Sequence, residues 1–153
     1  MIFKEQTKSV PITKEVVWES YKKVKSNGGS AGIDHQSLSD FDRVRSKELY
    51  KLWNRLASGS YFAPAVKRVN IPKGGGKTRP LGIPTVSDRI AQQVVKGYLE
   101  PRLESIFSEN SYGYRPNRNA HTAIEKVRQN VRHYSWVIDL DIQEFFENVS
   151  HTL

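Results

Sequence analysis

Apolar positions recur at helical spacing in four stretches of this chain, and two shorter stretches read as extended. Thr13 is placed to cap a helix running to about Ser26, with Val16, Val17, Tyr21 and Val24 on one face. Residues 27–32 hold three glycines, which end that helix in a turn or mobile loop. A second helix is predicted from about Ser39 to Ala57, with Phe41, Val44, Leu49, Leu52, Trp53 and Leu56 as its apolar stripe. Ser58, Gly59 and Ser60 break it. Two strands then flank the turn at Gly74, Gly75 and Gly76. Pro80 cannot donate to a ladder, so the second strand is an edge or is interrupted there.

Thr85 begins the next helix as a cap, with Asp88 in a box-like position and Ile90, Val94, Val95 and Tyr98 facing inward. Pro101 permits a kink or a new start, after which Leu103, Ile106 and Phe107 continue the core. A loop over 112–119 leads to Asn119, the cap of a helix reaching about His133, with Ala120, Ala123, Ile124, Val127 and Val131 inside. From about Trp136 to Ile142 the pattern alternates. Trp136, Ile138, Leu140 and Ile142 point one way; Val137, Asp139 and Asp141 point the other. Helices dominate, with a small antiparallel hairpin and one strand opening a second sheet. The expected class is α+β.

At 153 residues the chain is one domain, or one subdomain with the edge of another. A net charge of +8 changes the picture more than the length does, because it favours a polyanionic partner. The chain has no cysteine, which excludes disulfides and thiolate metal sites and fits a reducing, cytoplasmic setting. No apolar run approaches a membrane span, so no membrane partner is expected. His35, His121, His133 and His151 show no ligand spacing, so no zinc site is expected either.

The charge has a focus. Lys73, Lys77 and Arg79 fall within seven residues around the glycine turn, with no acid among them, and Lys67 and Arg68 precede them. Gly76, Lys77 and Thr78 imitate the end of a P-loop, but the full pattern needs glycine where Ile71 stands, and Pro80 and Pro84 favour extended chain over a helix. A hairpin that presents cations to phosphate fits better; a solvated tip serving only solubility is the plain alternative. Asp139 and Asp141 share one strand face about 7 Å apart by strand rise. They suit a hard divalent metal, although two aspartates are too few to complete such a site, and a solvated sheet face explains them equally simply. Phe145 and Phe146 serve either the core or a nucleotide. Tyr112, Tyr114, Arg115 and Arg118 either anchor their own loop or offer stacking faces and phosphate contacts to single-stranded nucleic acid.

Taken in order, these segments resemble the N-terminal part of a group II intron reverse transcriptase/maturase. Residues 31–34 (AGID) resemble the family's N-terminal extension motif. Residues 71–84 (IPKGGGKTRPLGIP), continued by 87–94 (SDRIAQQV), resemble the first polymerase block. Residues 111–121 (SYGYRPNRNAH) resemble the second, and 141–148 (DIQEFFEN) the third. The resemblance implies an N-terminal extension helix and loop over 1–35, polymerase fingers over 36–134, and the first palm strand with the start of the following helix over 135–153. It implies that Lys73 and Arg79 contact the incoming nucleotide's triphosphate, with Gln92 and Arg115 toward template or nucleotide. Asp141 would bind metal by its carboxylate as the catalytic acid, and Ile142 by its main-chain carbonyl. Phe146 would sit under the sugar and exclude a 2′-hydroxyl. Lys67, Arg68, Lys77 and Arg118 would meet RNA.

Implied partners are an intron RNA template, a DNA or RNA primer and deoxynucleoside triphosphates, with Mg2+ as cofactor in the complete enzyme and a bacterial host. Gln143 and Glu144 replace the family's common Lys-Gly, and Asp139 stands where glutamate is frequent. A Tyr-Ala-Asp-Asp-type motif, the rest of the palm and the thumb do not occur within the 153 residues. The chain is therefore expected to be a fragment that is inactive alone. A retron or CRISPR-associated reverse transcriptase is the rival within the class, and a non-catalytic RNA-binding maturase the rival outside it. Nothing in the sequence specifies an oligomeric state.

Overall fold

The computed structural model describes residues 11–143, 145–148 and 150, the side chains of Phe146 and Glu147 excepted. The chain divides into two units, 1–103 and 104–153. The first is a helical cluster carrying a hairpin. Helix α1 (Lys14–Asn27) starts where its sequence says it should: the Thr13 hydroxyl accepts from the Val16 amide at 3.4 Å. Its face of Val17, Tyr21 and Val24 is buried.

The predicted long second helix is two, α2 (Leu38–Arg43) and α3 (Arg45–Ala57), broken at Val44, whose backbone leaves the helical region at φ −116°. The reason lies in spacing. Phe41 and Leu49 both belong inside, but eight residues with Val44 between them do not keep one face against the same neighbours. The break buries Phe41 completely and Leu49 and Leu52 nearly so, and turns Val44 outward. Asp42 fixes α2 on α1: its carboxylate accepts from the Tyr21 hydroxyl and from Lys25 Nζ, the latter at 2.9 Å.

Strands β1 (Lys67–Pro72) and β2 (Thr78–Ile83) form an antiparallel pair, with Lys67 opposite Ile83 and Pro72 opposite Thr78. The second strand runs straight through Pro80. In a two-stranded sheet both strands are edges, so no ladder neighbour misses the absent amide. Helix α4 (Val86–Glu104) also continues through its proline, Pro101. Val86, Ile90, Ala91 and Val94 join the residues of α1–α3 in one core; Val95, expected inside, is half exposed. Trp53 Nε1 donates to the Ile12 carbonyl and the Tyr98 hydroxyl to that of Pro11, tying the start of the described chain to α3 and α4.

In the second unit, α5 (Ala120–Asn130) is capped by a reciprocal pair: Asn119 Oδ1 accepts from the Thr122 amide and Thr122 Oγ1 from the Asn119 amide. It ends three residues before His133. Its expected inner face is not covered, for Ile124, Val127 and Val131 are exposed, and Ile106 and Phe107 are exposed as well. The strand expected over 136–142 is not formed. A strand needs a neighbour to take its amides and carbonyls, and among the described residues none pairs with this one, so Trp136, Ile138 and Leu140 stay more than 80% exposed. A short helix, α6 (Phe145–Asn148), follows. The fold is α+β, mainly helical with one small antiparallel sheet. Glu144, His151 and the Phe146 side chain lie outside what is described.

Candidate functional site

The hairpin tip is built from three consecutive left-handed residues, Gly74, Gly75 and Gly76, at φ of +58°, +58° and +72°. Side chains would strain all three, so glycine is what lets the chain reverse here. The Lys73 amide donates to the Lys77 carbonyl at 2.7 Å and the Lys77 amide to that of Gly74, closing the turn between two lysines. Strand register then decides which cations act together. Residues directly opposite share a face, so Lys67, Val69 and Ile71 stand with Arg79, Leu81 and Ile83. The same parity carries on to Lys73 and Lys77. Four of the five predicted cations thus belong to one face, flanking an apolar strip, while Arg68 belongs to the other, beside Pro80 and Gly82. Among the described residues no acid pairs with any of the five. Their positive charge is uncompensated and in water.

The base of the hairpin is the opposite in character. Thr85 and Asp88, just past β2, are buried, at 3% and 4% exposure. Asp88 accepts from the Tyr61 hydroxyl at 2.9 Å and from Gln92 Nε2 at 2.8 Å, and its amide donates to Thr85 Oγ1 at 3.2 Å. Burial, and then this bond to Asp88, push the Tyr61 phenol well above its ordinary value, which keeps it a donor. Gln92, expected to face template or nucleotide, is held by Asp88 through its amide nitrogen, so its carbonyl oxygen is left to face outward. It borders a cleft of about 380 Å³ with Val24, Asn27, Gly28, Arg89, Gln93 and Lys96.

The loop carrying the AGID motif, open to being mobile by sequence, is pinned. Arg89 donates to the carbonyls of Gly28 and Ser30 at 3.0 and 2.9 Å, and Asp34 Oδ1 takes the Gln36 amide. Sequence reasoning missed Tyr61 and Arg89 because each acts on a partner tens of residues away. Gln92 four residues after Asp88 was the one readable signal, since that spacing shares a helix face.

Arg115 sits elsewhere than a substrate contact requires. Its guanidinium bonds Glu104 at 2.6 Å and the carbonyls of Ser108 and Ser111 at 2.7 and 3.0 Å, leaving its side chain 7% exposed. Glu104 holds the Arg115 guanidinium more firmly protonated, and Arg115 in turn lowers Glu104. Arg115 fastens its own loop. Arg118 donates to the Glu109 carbonyl and lies 5.1 Å from the Tyr112 ring, a half-engaged cation over an aromatic face.

Asp139 and Asp141 are solvent-exposed on the extended segment, followed by Ile142. The Asp141 carboxylate and the Ile142 carbonyl are hard oxygen donors of the kind a divalent ion takes. The described residues do not, however, gather three or more His, Cys, Asp or Glu side chains anywhere. The donor set fits part of a metal site and does not complete one.

Residues 71–153, from the middle of β1 onward, match the family model of reverse transcriptase (RNA-dependent DNA polymerase). The chain belongs to the reverse transcriptase family. Protein YkfC of Escherichia coli (strain K12) is 39% identical over 127 residues, 80% of this chain and 33% of its own length. Group II intron-encoded protein LtrA of Lactococcus lactis subsp. cremoris is 32% identical over 140 residues, 90% of this chain and 23% of its own. The Putative COX1/OXI3 intron 1 protein of Saccharomyces cerevisiae is 32% identical over 134 residues, 88% and 16%. Within the family the chain is therefore of the group II intron reverse transcriptase/maturase kind, and it spans a third or less of these relatives. Among the described residues no helix is long and apolar enough to cross a membrane.

Proposed function

We propose that this chain is the fingers portion, with the entry to the palm, of an RNA-directed DNA polymerase of a group II intron. It brings template RNA and deoxynucleoside triphosphates together for copying from a DNA or RNA primer, and it binds intron RNA in splicing. One observation carries this reading. The hairpin within the family match presents four uncompensated cations on one face of a glycine tip. Lys73 and Arg79, at the tip and one step inside it, take the triphosphate. Lys67, Lys77 and, from the other unit, Arg118 take RNA phosphates. Phe146 lies under the sugar. Asp141, with the Ile142 carbonyl, provides the first oxygens for a divalent ion, Mg2+ in this reading, which supplies charge stabilisation to the transferring phosphoryl group once further ligands complete its shell. The setting is a bacterial cytoplasm.

In a complete polymerase carrying these residues, Lys73→Ala and Arg79→Ala each raise the KM for deoxynucleotide by about tenfold or more. A lost charge-assisted contact costs about 1.5–3 kcal/mol. RNA affinity that falls while that KM stays level reassigns the hairpin to template.

A further inference from the structure

The cationic hairpin is exposed or half-buried along both strands, and neither strand packs broadly on a helix. What sets its direction must therefore sit at its two roots. On the entering side the last side chain fixed to the helical core is Tyr61, which donates to Asp88 Oδ1. On the leaving side Thr85 is bonded through Oγ1 to the Asp88 amide. One residue in the first turn of α4 thus ties both roots, and the Tyr61 hydroxyl is the half of that tie reaching back across 27 residues.

We infer that Asp88, acting through Tyr61, is a positioning residue for nucleotide use: it holds the hairpin at one angle to α4, so that Lys73 and Arg79 meet the triphosphate in a fixed place. This rests on the reading of the hairpin as the triphosphate contact. Tyr61→Phe keeps the ring and removes only the hydroxyl that makes the tie. Asp88→Asn keeps the shape of the acceptor but weakens it, since a neutral oxygen accepts less strongly than a charged one.

The natural absence of cysteine makes the test direct. Spin labels at Lys77→Cys on the tip and Lys96→Cys on α4 report the angle in the 153-residue chain as a distance distribution. A single narrow distribution is expected, broadening in Tyr61→Phe while helix content by circular dichroism is unchanged. An unbroadened distribution in a folded Tyr61→Phe chain overturns the inference, whether or not Asp88→Asn folds. In the complete polymerase, Tyr61→Phe should lower kcat/KM for deoxynucleotide by about tenfold or more through KM, since a misplacement of about 1 Å costs on the order of 100-fold. RNA affinity should be unmoved. Broadened labels with an unchanged nucleotide KM refute the nucleotide role of the hairpin and leave its anchoring intact, so the two ideas fail separately.

Discussion

Replacing Lys73 and Arg79 together by alanine should change how RNA binding by this chain responds to salt, and the structure sets the size of the change. Lys67, Lys73, Lys77 and Arg79 fall on one hairpin face with no acid beside them. If each neutralises one phosphate of a single strand, the four contribute a slope of about −2.8 in log affinity against log salt, at about −0.7 per contact. A fourfold rise in salt then weakens binding by about 50-fold through this face alone. The double substitution removes two contacts and should flatten the slope by about 1.4, whatever the rest of the surface adds. Folding should be unaffected, because both side chains are exposed and unpaired, and such surface changes fall within about 0.5 kcal/mol. The assay is fluorescence anisotropy of labelled single-stranded RNA over a salt series, with thermal melts as the folding control. An unchanged slope in a folded double variant would refute the claim that these charges meet phosphate.

Two further outcomes follow. Asp42 is held below its usual carboxylate value of 3.8, chiefly by the Tyr21 hydroxyl and then by Lys25, and Glu104 below 4.5 by Arg115. Depressed carboxylates stabilise the fold above their unfolded values and lose that contribution as pH falls through the folded ones. The melting temperature should be level above 4.5 and drop as pH passes below 3.8, with Tyr21→Phe starting its drop at higher pH; identical acid profiles for the two would dismiss the Asp42 pairing as a source of stability. In the complete polymerase, Asp141→Asn should abolish synthesis, because an amide cannot replace an ionised hard oxygen on a divalent ion. Asp139→Asn should retain substantial activity, and Phe146→Ala should admit ribonucleotides more readily; steady-state incorporation of matched deoxy- and ribonucleotides decides all three.

Caps and turns were legible because they are local. Thr13, Asn119 and the triple glycine act on residues three or four away, and each does what its type dictates. The break at Val44 was not legible, because it is imposed by Phe41 and Asp42 settling on α1 rather than by any residue that disfavours helix. Arg115 shows the same limit within the site. Its motif allowed either an anchored loop or a ligand contact, and only the return of the chain to Glu104 selects the anchor. The alternation of 136–142 is legible as a strand pattern, yet a pattern supplies no partner, and the described chain offers none.

The AGID motif illustrates how a segment can matter to a site without touching its ligand. A Cβ on Gly32 would lie 2.7 Å from both the backbone nitrogen and the Cα of Thr85, closer than atoms can approach, so glycine here is required by packing against α4's cap. The same turn of α4 carries Arg89, which grips the preceding loop at Gly28 and Ser30, and Asp88, which grips the hairpin at Tyr61. Residues 28–32, Tyr61 and the start of α4 are thereby one structural joint, from which a flexible-tipped, charged hairpin projects. The division follows from what each part must do. A tip that meets phosphates needs solvated, unpaired cations and a backbone free to close on them. Its aim depends on a base whose polar groups are all satisfied, and of the side-chain atoms buried in this joint only Arg89 Nε is left without a partner. A substitution such as Gly32→Ala, far along the chain from Arg79, should therefore disturb the hairpin by moving Thr85, before it disturbs anything at the tip.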